Sequence, residues 1–247
     1  DKFKQLDFGH CVVALKSLAE YHASSVVAHR QNPELVESEL GEKMLFIENS
    51  KMTHELMKQK LHTFVNSVSK WGKFQDLCAL INSKLDKVID LILQTIHRKP
   101  KINVLNHGDF WTNNILFRYD QEGNVCEAKM IDFQIAMYGS YGIDLQYFTW
   151  SSISPCVRKQ RLDELYFIYL ETLNNSLERF GVEERVYFED FKIEMESMLL
   201  YGLFTVSFPV TIMFSKSELD VYDRPCYREA AEEVLKCLQN HKVFEIL

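Results

Sequence analysis

The stretch that decides the reading is Val104 to Asp144, VLNHGDFWTNNILFRYDQEGNVCEAKMIDFQIAMYGSYGID. Val104-Leu105 is a short apolar run that reads as a strand end, and His107-Gly108-Asp109 follows it directly. Asn114 stands five positions after Asp109. A second apolar run, Ile115-Leu116-Phe117, leads to a turn at Asp120-Gln121-Glu122-Gly123-Asn124. Met130-Ile131 then runs into Asp132-Phe133-Gln134. Two hairpin-like strands thus deliver Asp109, Asn114 and Asp132 to one place.

These three residue types suit phosphoryl transfer. That chemistry needs little covalent help from a protein; it needs a hydroxyl held in line and phosphate charge neutralised. A carboxylate at Asp109 can orient the hydroxyl and accept its proton late in the reaction. Magnesium takes hard oxygen ligands and keeps several waters, so one carboxylate (Asp132), one amide oxygen (Asn114) and ATP phosphates make a sufficient set. The spacing from Asp109 to Asn114 equals that of the kinase H-R-D-x-x-x-x-N loop. A lone H-G-D or D-F would carry little weight, whereas the ordered set is specific. Asp7-Phe8-Gly9 also spells the kinase magnesium motif, but no catalytic loop precedes it. It opens a helical pattern and reads as a chance match, with Asp7 as a helix cap.

HGDFWTNNILF, MIDFQ and YGID together resemble the ecdysteroid kinase-like (CHK kinase-like) family of insects, within the aminoglycoside phosphotransferase and choline kinase group. Leu18-Ala19-Glu20-Tyr21-His22-Ala23 is similar to that family's first large-lobe helix. The resemblance covers most of the chain and is weakest after about Ser151. It implies a protein-kinase-like fold of α+β class, mainly α, with ATP and Mg2+ as cofactors. It also implies a hydroxylated, apolar small molecule, such as an ecdysteroid, as acceptor. By the same resemblance Asp109 is the catalytic residue, and Asn114 and Asp132 hold the metal. Asp144 accepts hydrogen bonds from the catalytic-loop backbone, and with His107 supports the loop; a helix cap is the alternative role for Asp144. Trp111, Tyr201, Phe204 and Phe208 are the candidate acceptor contacts.

Only eleven residues separate Asp132 from Asp144. A protein kinase must fit an activation loop and an A-P-E segment there, so the acceptor is a small molecule. Ahead of Asp109 there is no glycine-rich loop and no V-A-I-K-like strand. The sequence therefore reads as the large, C-terminal lobe alone, residues 1–247, with the catalytic segment at 104–144 and a helical substrate-side region at 145–247. The small ATP-binding lobe is missing from this reading. Two other functions stay open: a truncated or non-catalytic kinase-like module that binds a ligand or partner, and a choline- or aminoglycoside-type kinase using an aromatic cage for a cation.

Composition agrees with an ordinary globular domain. The 247 residues are 47% hydrophobic and 26% charged, with a net charge of −7 and no basic run, which argues against a nucleic-acid surface. No apolar run reaches membrane length. Six scattered cysteines without C-x-x-C spacing suit reduced thiols in a cytoplasmic protein. Asn174-Asn175-Ser176 is formally a glycosylation triplet, but it falls in a helical pattern. Apolar spacing predicts helices over 7–30, from Thr53 as cap to about Val68, and over 74–98. Further helices are predicted at 144–152, 156–180, 188–215 with a break at Pro209, and 224–240. Strands are expected at 103–106, 114–119 and 127–132, and an irregular acidic connection at 34–50. His22, on the apolar side of the first helix, reads as a core histidine with its hydrogen bonds satisfied.

Overall fold

A computed structural model describes residues 3–42, 46, 50–215 and 220–244. Its first helix starts where Asp7 can cap it: the carboxylate accepts from the His10 backbone N–H at 3.0 Å. This helix, α1 (Phe8–Gln31), buries Cys11, Ala14, Leu15, Leu18, His22 and Ser25, the i, i+3, i+4 stripe of an amphipathic helix. It ends ahead of Pro33, with His29 and Arg30 in its last turn. The acidic connection that follows is less irregular than expected, since Leu35–Leu40 form a π-helical turn.

Helix α2 (Lys51–Val68) is capped by Ser50, whose hydroxyl accepts from Thr53 N–H at 3.3 Å; Thr53 itself lies inside the first turn rather than capping it. Gly72, at φ +79, then reverses the chain. The single helix expected over 74–98 is two, α3 (Gln75–Ser83) and α4 (Leu85–Ile96), separated at Lys84 with φ −130 and ψ 27. The apolar period runs through the break because both helices face one core, so the sequence carries no sign of it.

Four short strands follow. β1 (Asn103–Asn106) pairs antiparallel with β4 (Met137–Ser140), and β2 (Ile115–Tyr119) forms a hairpin with β3 (Val125–Met130). The third expected strand sits two residues earlier than 127–132, leaving Ile131 and Asp132 beyond its end. Strand β4 was not foreseen. The hairpin turn is held by Asp120, whose carboxylate accepts from the N–H groups of Glu122 and Asn124 at 2.9 and 2.8 Å; these bonds lower its pKa.

The rest is helical: α5 (Gly142–Ser151), α6 (Pro155–Arg179), α7 (Phe188–Ser197), α8 (Leu199–Ser207), α9 (Pro209–Phe214) and α10 (Pro225–Asn240). The stretch 188–215 thus splits twice, at Met198 and at Phe208. Phe208 takes φ −130 and ψ −77, outside the helical region, because Pro209 disfavours a helical predecessor. Among the described residues no single helix is long and apolar enough to cross a membrane. The architecture is mainly helical with two small sheets.

The buried side chains form two cores. One gathers α2, α3, α4, α8 and α10; the other gathers α1, α6 and the strand residues Val104 and Ile115. All ten residues of α5 are buried between them. Ile143, Tyr147 and Trp150 face the first core and Leu145 and Phe148 the second.

Candidate active site

Strand β1 ends at Asn106, and the chain passes at once into the His107-Gly108-Asp109 loop. Gly108 sits at φ +82, and a Cβ there would lie 2.0 Å from the Ile135 carbonyl oxygen, so only glycine fits. Asp144, in the first turn of α5, holds the loop. Its Oδ2 accepts from the His107 backbone N–H at 2.7 Å and its Oδ1 from that of Gly108 at 2.9 Å. Tyr141, not Asp144, occupies the N-cap position of α5.

A third donor to Asp144 comes from α1. His22 Nε2 lies 3.1 Å from Asp144 Oδ2, with both side chains fully buried, and His22 Nδ1 is 2.7 Å from the Tyr169 hydroxyl. Burial holds that phenol far above its ordinary pKa, so it stays a donor and Nδ1 accepts. His22 is thus satisfied, as the sequence suggested, but by the aspartate that anchors the His107–Asp109 loop.

His107 is also fixed by both ring nitrogens. Nδ1 is 3.3 Å from the Asp109 N–H, and Nε2 is 2.8 Å from the Ile131 carbonyl oxygen. Only the tautomer with its proton on Nε2 satisfies both contacts. The ring therefore spans from the Asp109 backbone to the residue preceding Asp132. Phe133 packs on it at 4.5 Å between centroids.

Asp109 carries a donor on each carboxylate oxygen. Tyr147 O–H donates to Oδ1 at 2.6 Å, and Asn114 Nδ2 donates to Oδ2 and to the Asp109 carbonyl, both at 2.9 Å. Burial, then the Asp109 charge, pushes the Tyr147 phenol well above its usual pKa and keeps it protonated. Each carboxylate oxygen keeps a lone pair for another donor.

Asn114 has committed its NH2, and its Oδ1 accepts no hydrogen bond among the described residues. Asp132 is exposed, at the left-handed φ of +68, a conformation aspartate tolerates better than most residues. Its neighbour Ile131 donates its N–H to the Asn114 carbonyl at 2.9 Å. Backbone and ring contacts thus brace Asp132 against the Asn114 turn. No cluster of three or more His, Cys, Asp and Glu side chains able to hold a metal occurs among the described residues. The available donor set is one amide oxygen and one carboxylate, which fits a magnesium ion that takes its other ligands from phosphate and water.

Next to Asp109 opens a cavity of about 390 Å³. Asp109, Gly108, Tyr147, Phe46, Ile135, Met137, Pro209, Ile212 and Met213 line it, together with Trp111, Tyr201, Phe204 and Phe208, the four acceptor contacts nominated from sequence. Its wall is a chain of rings: Phe46 to Phe204 at 5.2 Å, Phe204 to Tyr201 at 5.4 Å and Phe204 to Phe208 at 5.8 Å. A cavity of about 480 Å³ lies on another side of α5, against Trp150, Tyr166 and Met195. It is larger, but none of the catalytic-segment residues reaches it, so the smaller one is the candidate site. Sequence reasoning missed Tyr147, although it stands three residues after Asp144 and so shares a helix face with it. It also missed Phe46 and Ile135, for which no sequence signal exists.

A mainly helical fold thus sets an Asp-Asn-Asp segment, residue types suited to phosphoryl transfer, beside an apolar cavity. The comparisons agree. The profile of the ecdysteroid kinase-like family matches residues 1–182, and the chain belongs to that family. Among solved structures, choline kinase from Cryptosporidium parvum Iowa II superposes with a TM-score of 0.55 at 17% identity, covering 99% of this chain and 70% of that chain. At that identity the likeness shows a shared fold. No curated protein matches. Family and fold together place the chain among small-molecule kinases.

Proposed function

We propose that the protein transfers the terminal phosphoryl group of ATP, with magnesium, to a hydroxyl of a small apolar acceptor, an ecdysteroid or a similar hydroxylated compound. The observation that carries this reading is the placement of Asp109 on the wall of an otherwise apolar cavity, with both carboxylate oxygens oriented by Tyr147 and Asn114. Asp109 has lone pairs left to accept from an acceptor hydroxyl and to take its proton as the new O–P bond forms. Asn114 Oδ1 and Asp132 would hold magnesium, which supplies neutralisation of phosphate charge. His107 and Asp144 keep the loop in shape. Trp111, Tyr201, Phe204 and Phe208 give the acceptor an apolar surface, and burial of its hydrocarbon at roughly 25 cal/mol per Å² provides the binding energy.

Ahead of Asp109 the sequence has no glycine-rich loop and no strand lysine of the kinase type. This observation favours the second reading, a lobe that binds a ligand without transfer.

The test is ATP-dependent phosphorylation by the natural gene product and its Asp109→Asn variant, with a panel of ecdysteroids, other hydroxylated apolar compounds and choline. Loss of the general base should cost about 10²–10⁴ in turnover while acceptor binding persists. Tight binding of a panel member without transfer to any acceptor would establish the binding module instead. Preference for choline would establish the cation-type kinase.

A further inference from the structure

The cavity of about 480 Å³ beside Trp150 has no part in the proposed transfer, and none of its lining residues belongs to the segment 104–144. Its buried walls come from Gln146 and Trp150 of α5, Phe191 and Met195 of α7, and Leu199 of α8. The polar groups of these walls are engaged with each other. Gln146 Oε1 accepts from Trp150 Nε1 at 2.6 Å, and Gln146 Nε2 donates to the Met195 carbonyl at 3.0 Å. The Tyr166 hydroxyl, also in the lining, is paired with Thr149 Oγ1 at 2.9 Å. An ordered water needs about two to four polar partners, so this interior suits hydrocarbon instead. Helix α8 closes directly on the Gln146–Trp150 pair through Gly202, where a Cβ would stand 2.8 Å from Trp150 Nε1, so the wall is preformed.

Charge gathers at the mouth. Asp163 and Glu196 line the cavity and are exposed. The cations near them are turned to other partners. Arg161 pairs with Glu164 at 2.8 Å. Lys192 pairs with Glu189 at 2.7 Å and lies 5.0 Å over the Phe188 ring. His241 Nδ1 stands 3.8 Å from Glu196, beyond hydrogen-bonding distance. Two carboxylates thus border an aromatic cavity without close cationic partners among the described residues.

We propose that this cavity is a second ligand site, separate from the one beside Asp109, and that it takes a small aromatic amine. The ring of the ligand enters against Trp150, Tyr166 and Phe191, and its ammonium group stays at the mouth with Asp163 and Glu196. The volume falls within the range of small-molecule sites. Each part of such a ligand meets what it needs. The ring leaves water for a wall of rings and aliphatic side chains, at offset or edge-to-face geometries that aromatic pairs favour. The ammonium group keeps its water and is not desolvated, so the two carboxylates attract it without the cost of burying a charge. The faces of the surrounding rings favour a cation as well. A neutral molecule of the same shape gains only the apolar contact, and an acid sets a third negative charge at the mouth. The site stands independently of whether the Asp109 cavity holds a phosphoryl acceptor.

The experiment measures binding of naphthylethylamine and of the matched alcohol, naphthylethanol, by isothermal titration calorimetry. It uses the natural gene product, a double variant Asp163→Asn with Glu196→Gln, and a blocking variant Leu162→Trp, which fills the cavity from a half-buried position. The double variant changes only exposed side chains and should fold; thermal unfolding of both variants is checked alongside. The expected result is saturable binding of the amine by the wild type, about tenfold tighter than the alcohol, since exposed ion pairs contribute up to about fivefold each. That preference should fall toward unity in the double variant, and high salt should weaken the amine alone. The blocking variant should lose both ligands. Three outcomes overturn the proposal: no saturable binding of the amine, equal binding of amine and alcohol by the wild type, or binding that survives Leu162→Trp, which would place the ligand elsewhere. A preference for the amine that persists in the double variant removes Asp163 and Glu196 from recognition and overturns it too.

Discussion

Replacing Asp144 by asparagine should unfold the catalytic loop and much of the domain's stability with it. The carboxylate accepts three hydrogen bonds, from the backbone N–H groups of His107 and Gly108 and from His22 Nε2, all in a site closed to solvent. Asparagine keeps the shape but has one acceptor oxygen. With that oxygen in the Oδ2 position it serves His107 and His22, and its NH2 then faces the Gly108 N–H. One charge-assisted bond of about 1.5–3 kcal/mol is lost, the other two weaken, and a buried donor is left unpaired. The sum is about 3–5 kcal/mol, from the lost bond and the unpaired buried donor together. Solvent does not screen this interaction, because both side chains are fully buried. For a domain of this length about 1 kcal/mol moves the midpoint by roughly 2–4 °C, so the expected fall is roughly 6–20 °C. Circular dichroism melts of wild type and Asp144→Asn measure it directly, with turnover recorded in parallel. A variant melting within about 3 °C of wild type would show that the three bonds contribute little, and the account of the loop given above would be wrong.

Tyr147→Phe removes the donor on Asp109 Oδ1 without touching the packing of α5. It should lower kcat by roughly tenfold, with a smaller change in acceptor binding, as steady-state kinetics will show. Gly108→Ala places a methyl group against the Ile135 carbonyl at a positive φ; we expect a loss of more than about 3 kcal/mol in urea titrations, or no folded protein. Burial pushes the Cys78 thiol up to about 11 and raises that of Cys11 further, so at pH 8 both stay protonated and inert. Iodoacetamide followed by mass spectrometry should find the exposed Cys126 and Cys156 labelled first, and Cys11 and Cys78 only after unfolding.

What the sequence revealed and what it hid follow a physical line. Helices α1, α6 and α10 were legible because each carries an apolar stripe and ends at proline or a cap. The breaks at Lys84 and Met198 were not, since the apolar period continues across them and only the local backbone changes. Strand β4 escaped notice because Met137-Tyr138-Gly139-Ser140 has no alternation of its own; it becomes a strand by pairing with β1, more than thirty positions earlier. In the site, the segment 104–144 declared its residues through local spacing. The groups that orient them did not. His22 meets Asp144 across 122 positions and Tyr147 meets Asp109 across 38, and no periodicity encodes such contacts. Phe208 was named as a pocket residue, yet its place at the kink ahead of Pro209 follows from proline sterics.

The two cores joined by α5 divide the molecule's labour. Phe46, Tyr201, Phe204 and Met213, which face the cavity, belong to one core, whereas Val104, Phe110 and Ile115, which carry the catalytic loop and the Asn114 turn, belong to the other. Under the proposed function, a change in the first alters the acceptor wall, while Asp144 and Tyr147 on α5 tie the His107–Asp109 loop to both cores. On that reading, substrate preference and chemistry are largely separable. Under the proposed function, acceptors can be diversified by substitutions in α8 and α9, which carry Tyr201, Phe204 and Met213, and the same partition gives a protein engineer a cassette to exchange.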